Sequence, residues 1–148
     1  MKRHTVSVAV CTYNGEKYIR EQLESILHQA YPVYEVVICD DGSTDKTLEI
    51  AEQTLRSASV QYNIQRNEKN LGVTKNFEKA ISLCTGEIIF TSDQDDLWDV
   101  HKTKRMLERF ADPQCVMVFS DAVIIDRDGK EVQQSLYKKD GFMQSGHA

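Results

Sequence analysis

Five carboxylates fall in two short runs of this chain, Asp40-Asp41 and Asp93-Gln94-Asp95-Asp96. Each run closes an apolar segment of strand length, Glu35 to Cys39 for the first and Ile88-Ile89-Phe90 for the second. A third such segment, Val6 to Cys11, runs into Thr12-Tyr13-Asn14-Gly15. In an open parallel sheet, ligands gather beyond the carboxyl ends of the strands. If these strands lie side by side, the five acids converge on one crevice. Anions so crowded repel one another and call for a positive partner. Hard oxygen ligands favour Mg²⁺ or Mn²⁺, which commonly take one or two protein carboxylates and complete their shells with substrate phosphates. The chemistry indicated is the binding of a metal-chelated phosphate compound. An acid cluster alone is most often a solvated loop; the position after a strand, repeated on a second strand, gives the reading its weight.

The elements that must hold these residues alternate between short apolar runs and helical periodicity, as in a parallel sheet with crossover helices. Ile19, Leu23, Ile26, Leu27 and Ala30 share one helix face, stopped by Pro32. Ser43 or Thr44 is placed to cap the next helix, with Leu48, Ala51 and Leu55 facing the core. Val60 to Ile64 is a more polar strand suited to an edge. A third helix buries Val73, Phe77, Ala80, Ile81 and Cys84, and Gly86 is placed to turn left-handed after it. Val100, Met106, Leu107 and Phe110 mark a helix ending before Pro113. Val116 to Phe119 reads as a fifth strand, Val123 to Ile125 as an extended segment, and Asp128-Gly129 as a turn into Glu131-Val132. The expected architecture is α/β: a Rossmann-like, mostly parallel sheet with helices on both faces.

Bulk properties agree with a single domain over 1–148, with 135–148 as loop or disordered tail. The chain has 148 residues, 41% of them hydrophobic and 28% charged, with 2 Pro, so nothing suggests a linker or low-complexity tract. A net charge of −5 argues against a nucleic-acid partner. The apolar runs are too short for a transmembrane segment, and no signal peptide is read at the start. Cys11, Cys39, Cys84 and Cys115 match no zinc or redox spacing and are expected to be inert buried thiols in a reducing cytosol. His4, His28, His101 and His147 show no metal spacing.

The ordered set Cys-Thr-Tyr-Asn-Gly (11–15), Asp-Asp-Gly-Ser-Thr-Asp (40–45), Asn-Leu-Gly (70–72) and Asp-Gln-Asp-Asp-Leu-Trp (93–98), followed by Lys102, resembles the family-2 glycosyltransferases. The match covers roughly residues 5 to 127. It implies the GT-A fold, C-terminally truncated, and transfer of a sugar from a UDP- or dTDP-sugar donor to a glycan or lipid-linked acceptor. That transfer would be inverting and dependent on Mn²⁺ or Mg²⁺. Tyr13 would stack on the pyrimidine, with Thr12 and Asn14 in the same nucleotide pocket. Asp41 would accept the ring N–H, and Asp40 would support the strand end nearer the ribose. Asp95 would be the direct metal ligand, Asp93 would serve ribose or metal, and Asp96 and Lys102 match supporting positions. The catalytic base would lie beyond residue 148. The Asp-Gln-Asp-Asp-Leu-Trp form is similar to bacterial transferases of cell-surface polysaccharides, including rhamnosyltransferases. A cytoplasmic chain, peripheral at the inner face of the membrane, follows from that likeness; oligomeric state is left open.

Plainer roles stand beside these. Tyr13 can staple a helix entry, Asp40 and Asp41 can favour the positive end of the following helix, and Asn70-Leu71-Gly72 can be only a helix start. Trp98 reads as packing before sugar platform, and Lys102 as a solvated helix residue. A receiver-type signalling domain or an Asp-x-Asp phosphatase would want its acids after the first strand, where Thr12-Tyr13-Asn14 lies. A dehydrogenase would want Gly-x-Gly-x-x-Gly there. A non-catalytic nucleotide-sugar-binding module shares every feature above.

Overall fold

A computed structural model describes residues 4–139, in the element order β1 (Val6–Thr12), α1 (Ile19–Leu27), β2 (Glu35–Asp40), α2 (Thr47–Arg56), β3 (Gln61–Arg66), α3 (Val73–Ser82), β4 (Ile88–Asp93), α4 (Lys102–Leu107), a 3₁₀ turn (Glu108–Ala111), β5 (Ile124–Ile125), β6 (Glu131–Gln133) and α5 (Leu136–Lys139). Two compact units divide at residues 105 and 106. The first holds a four-stranded parallel sheet ordered β3-β2-β1-β4. Strands β1 and β2 are buried along their whole length, and their near-continuous Val/Ile/Cys runs are what a parallel sheet covered on both faces demands. Strand β3 is only partly buried and lies at the edge, as its polarity predicts.

Alternation sorts the core into two layers. Ala9, Cys11 and Cys39 face α3 through Ala80, with Phe77, Leu83 and Cys84 packed around them. Small residues on both sides let α3 lie close to the strands. On the other face, α1 buries Ile19, Leu23 and Ile26 and α2 buries Ala51 and Leu55. Burial raises the thiol pKa of Cys11 to about 12, with Cys39 and Asp93 adding to the rise, and burial likewise raises that of Cys84 to about 11. All four cysteines are free, Cys11 and Cys39 buried as expected but Cys84 and Cys115 only half-buried. Thiols held as far from ionisation as Cys11 and Cys84 are poor nucleophiles.

Several expectations about individual residues are corrected. Helix α1 ends at Leu27, so Ala30 is exposed and does not extend its apolar face. Neither Ser43 nor Thr44 caps α2, whose N-cap residue is Lys46 with no side-chain cap hydrogen bond; one residue earlier, Asp45 accepts the Thr47 N–H at 3.0 Å and its hydroxyl as well. Val73 is 71% exposed and Ile81 39%, because the face of α3 toward the sheet is filled by Ala80 and Asn76. Gly86 is not among the residues with positive φ. Its lack of a side chain answers a different need, since a Cβ there would lie 2.8 Å from the Ser7 backbone nitrogen and closer to its hydroxyl. That spot is crowded because buried Glu35 gathers Ser7 Oγ (2.6 Å), both Thr85 donors and the Gly86 N–H at the amino end of the sheet.

In the second unit, β5 and β6 pair antiparallel around Gly129 (φ 76°), the turn that the Asp128-Gly129 pair predicts. The expected strand at 116–119 does not form: those residues have no regular structure, and Val116, Met117 and Phe119 are 65% to 91% exposed. Hydrophobicity there signals strand, but a strand exists only where a partner supplies its hydrogen bonds. The expected loop over 135–148 is interrupted by α5 at Leu136–Lys139; residues 140–148 lie outside the described residues. Among the described residues, no helix is long and apolar enough to cross a membrane.

The crowding at residue 86 makes a stability prediction. Gly86→Ala should lower the unfolding free energy by about 1–3 kcal/mol, the usual size of an overpacked site. Urea denaturation with an unchanged m-value would show it, and an unchanged midpoint would refute it.

Candidate active site at the carboxyl end of the sheet

Strand β1 sits between β2 and β4 in a register that sets Thr12 opposite Asp40 and Cys11 opposite Asp93. Three polar runs therefore emerge side by side. The acids among them are treated in two different ways.

Asp40 is fully buried. Its carboxylate accepts Thr12 Oγ1 at 2.8 Å, the Gly42 and Ser43 N–H groups at 3.2 and 2.9 Å, and the Ser43 hydroxyl. Thr12 is 2% exposed with its hydroxyl committed to that contact. Asn14, in the left-handed region at φ 50°, accepts the Thr44 N–H on its side chain and donates its own N–H to Ser43 Oγ, both at 2.9 Å. Short polar side chains tolerate this conformation best. Thr12 and Asp40 thus brace the loops after β1 and β2 from within, and exposed Asn14 ties them together at the surface.

Asp41 and Tyr13 do line one, an open cavity of about 440 Å³ completed by Gly42, Arg66, Asn67, Glu68, Lys69 and Asn70. Tyr13 is half exposed. The Asp41 carboxylate accepts the backbone N–H groups of Leu71 (2.7 Å) and Gly72 (2.9 Å) and the Asn67 amide (2.9 Å). It sits at the N-terminal approach to α3, not to α2 as the sequence order suggests, so the Asn70-Leu71-Gly72 run is both a helix start and a cradle for this acid. Asn67 is held in turn: its amide also donates to Asn76 Oδ1 (2.8 Å), its carbonyl oxygen accepts Lys79 Nζ (2.7 Å), and Asn76 donates to the Cys39 carbonyl (2.7 Å). Burial alone would raise the Asp41 pKa, but the Leu71, Asn67 and Gly72 donors outweigh it and hold the group below the usual carboxylate range. The result is a fixed, acceptor-only charge beside an aromatic face.

The acids after β4 receive less support, a backbone hydrogen bond from Asp93 reaching only Asp96. Asp93, Asp95 and Asp96 are all exposed, and Asp93 and Asp96 border a cavity of about 240 Å³ with Phe77, Thr91 and Ser92. Partial burial raises the Asp93 pKa, and the charges of Asp96 and Asp95 push it further. Asp96 is raised by burial and by Asp95, with Lys102 opposing. Lys102 lies 4.9 Å over the Trp98 ring, and its own pKa is lowered by burial against the pull of Asp96. Trp98 is buried and packs on Phe90 at 5.6 Å, which makes it a packing residue. Among the described residues, no three His, Cys, Asp or Glu side chains gather as a self-sufficient metal cage. A divalent ion here would take a part of its shell from a ligand, which suits these mutually repelling acids.

Sequence reasoning missed Arg66, Asn67, Asn76 and Lys79. The carboxyl-end rule applied to β3 would have found the first two, since Arg66 ends that strand and Asn67 follows it. Nothing in the periodicity of α3 marks Asn76 and Lys79 as site residues.

A Rossmann-like parallel sheet that opens an acid-lined crevice at its carboxyl end is the layout of the GT-A glycosyltransferases. The chain belongs to the glycosyl transferase family 2, whose model matches residues 7–146. It is 29% identical to a putative teichuronic acid biosynthesis glycosyltransferase of Bacillus subtilis over 89% of its length and 52% of that protein. Among solved structures it is similar to Staphylococcus aureus TarS (residues 1-349) in complex with UDP, at 35% identity and TM-score 0.65, over 74% of this chain and 32% of that one. A Pyrobaculum calidifontis mannosyltransferase in complex with GDP-Man and Mn²⁺ matches at 30% identity and TM-score 0.71, over 76% and 34%. The chain thus spans about half or less of these relatives.

The Asp41 cradle predicts a pH dependence. With its folded pKa below the unfolded one, Asp41 stabilises the fold above the unfolded value, and that contribution fades as pH falls through the usual carboxylate range toward the folded value. Urea unfolding followed from neutral to about pH 3 should show stability falling over that window, with a shallower fall in Asp41→Asn. Equal slopes would refute the assignment.

Proposed function

We propose that residues 1–148 form the donor-binding domain of a metal-dependent, inverting glycosyltransferase. It would use a UDP- or dTDP-sugar and deliver the sugar to a glycan or lipid-linked acceptor at the cytoplasmic face of the membrane. The observation that carries this reading is the anchored Asp41 carboxylate beside the open Tyr13 ring. With three donors already bound, Asp41 still has acceptor capacity toward the cavity. A base presenting an imide N–H, as uracil and thymine do, satisfies it, whereas cytosine presents a ring nitrogen lone pair and is repelled. Tyr13 offers the flat face on which such a ring stacks.

One strand over, Asp93 and Asp95 would hold Mn²⁺ or Mg²⁺ together with the donor diphosphate. The ion would supply neutralisation of the charge that develops on the leaving diphosphate. Asp96 and Lys102 support that loop, Lys102 by offsetting part of the acid repulsion from its seat on Trp98. Thr12, Asn14 and Asp40 keep the two neighbouring loops at the spacing a nucleoside diphosphate needs. The bound UDP of the TarS structure and the GDP-Man and Mn²⁺ of the mannosyltransferase support this class of ligand, and the teichuronic acid relative supports a cell-surface polysaccharide as the product.

Calorimetric titration tests the reading. UDP or dTDP should bind in the presence of Mn²⁺, and CDP should not compete. Asp95→Ala should lower the Mn²⁺-dependent affinity by at least about tenfold, which corresponds to roughly 1.4 kcal/mol. Metal-independent binding of equal strength in the variant, or no binding by the folded chain, would overturn it.

A further inference from the structure

Gln94 occupies the middle of Asp93-Gln94-Asp95, yet its amide is committed to the other loop. Its Oε1 accepts the Tyr13 N–H at 2.8 Å, and its Nε2 donates to the Tyr13 carbonyl at 3.0 Å. Strands β1 and β4 pair backbone to backbone only as far as Cys11 and Asp93. One step further on, the Gln94 side chain takes over the role of a neighbouring peptide, offering one acceptor and one donor to both backbone groups of Tyr13. The space it fills is reserved for it: a Cβ at Gly15 would collide with Gln94 Oε1 and Cδ. Gly15 is not among the positive-φ glycines, so its role here is to leave room rather than to permit a turn.

We propose that Gln94 is a positioning residue for the nucleobase platform, although it stands within the acid motif. By gripping the Tyr13 N–H and carbonyl, it fixes the backbone that carries the aromatic ring relative to the strand end bearing Asp93 and Asp95. Base and diphosphate sites are then held at one spacing before any ligand arrives. This rests on the reading of Tyr13 as the surface on which the base stacks. A side chain that filled space alone could be replaced by any isostere. A two-point amide contact cannot: glutamate keeps an acceptor for the N–H but turns a second oxygen toward the Tyr13 carbonyl.

The test separates the base from the metal by using uridine without metal, alongside UDP with Mn²⁺, on the wild-type chain, Gln94→Ala and Gln94→Glu. Amide hydrogen exchange at Tyr13 is followed in parallel. Both variants should lose protection at the Tyr13 amide or bind uridine more weakly. For Gln94→Ala both effects are expected, with uridine and UDP affinity reduced by a similar factor, about tenfold for two lost hydrogen bonds. Gln94→Glu should not restore uridine binding. The rest of the amide spectrum reports that each variant is folded. Unchanged uridine affinity in Gln94→Ala with weakened UDP–Mn²⁺ binding would place the residue's action at the acid loop and overturn the proposal, as would full rescue by glutamate. If the wild-type chain binds neither ligand, the donor-site reading fails, and the proposal with it.

Discussion

Strand β1 hydrogen-bonds to β2 on one side and to β4 on the other, and the register ends both pairings within one residue of each other, at Thr12 opposite Asp40 and Cys11 opposite Asp93. Parallel strands cannot be joined by tight turns, so each neighbour must be reached through a crossover helix. The consequence is that every strand delivers its carboxyl end, and the polar run after it, to the same side of the molecule. A shift of one residue in either register would send Asp40 or Asp93 to the opposite face. The unbroken apolar content of β1 and β2 holds the sheet between its helices, while the small Ala9, Cys11, Cys39 and Ala80 set how near α3 comes. That closeness lets Asn76 reach the Cys39 carbonyl and lets the start of α3 reach Asp41.

Buried carboxylates are costly unless hydrogen bonds replace their lost hydration. Around Asp40 and Asp41 the protein supplies those bonds itself, from Thr12, Ser43, Asn67 and the backbone of residues 42, 43, 71 and 72. Asp93 and Asp96 are more exposed and have fewer such bonds, and partial burial with mutual repulsion raises their pKa values while that of Asp41 falls. Adjacent acids with opposite shifts have different duties. The first pair is satisfied as built; the second keeps a mutual repulsion that its surroundings do not fully relieve. Lys102 offsets only part of the repulsion, since its own charge is disfavoured by burial.

Much of this was legible in the sequence because it rests on local pattern. The apolar runs at Val6, Glu35 and Ile88, and the acids that follow two of them, locate strands and strand ends without knowledge of neighbours. The edge position of β3 follows from its polarity. What stayed hidden depends on approach across the chain. Ser43 does not cap α2 because its hydroxyl is drawn to Asp40, and the first-turn Thr47 N–H goes to Asp45 instead. The want of a side chain at Gly86 reflects Ser7 and Glu35 in distant strands, not a helix end. Val116 to Phe119 has strand composition, but composition cannot supply the partner that a strand requires.

The acid motif shows the same limit from the other direction. Reading Asp93-Gln94-Asp95-Asp96 by residue type assigns chemistry to the carboxylates and treats Gln94 as a spacer, because an amide between two acids has no charge to contribute. The geometry reverses that emphasis. Asp93, Asp95 and Asp96 stand exposed, while Gln94 makes a two-point contact to another loop. A neutral residue can do this where an acid cannot, since contact with both a backbone N–H and a backbone carbonyl needs an acceptor and a donor on one group. Acid, amide and acid therefore do different things along a single strand end: the acids stand exposed at the crevice, and the amide is a bridge that ties their loop to Tyr13.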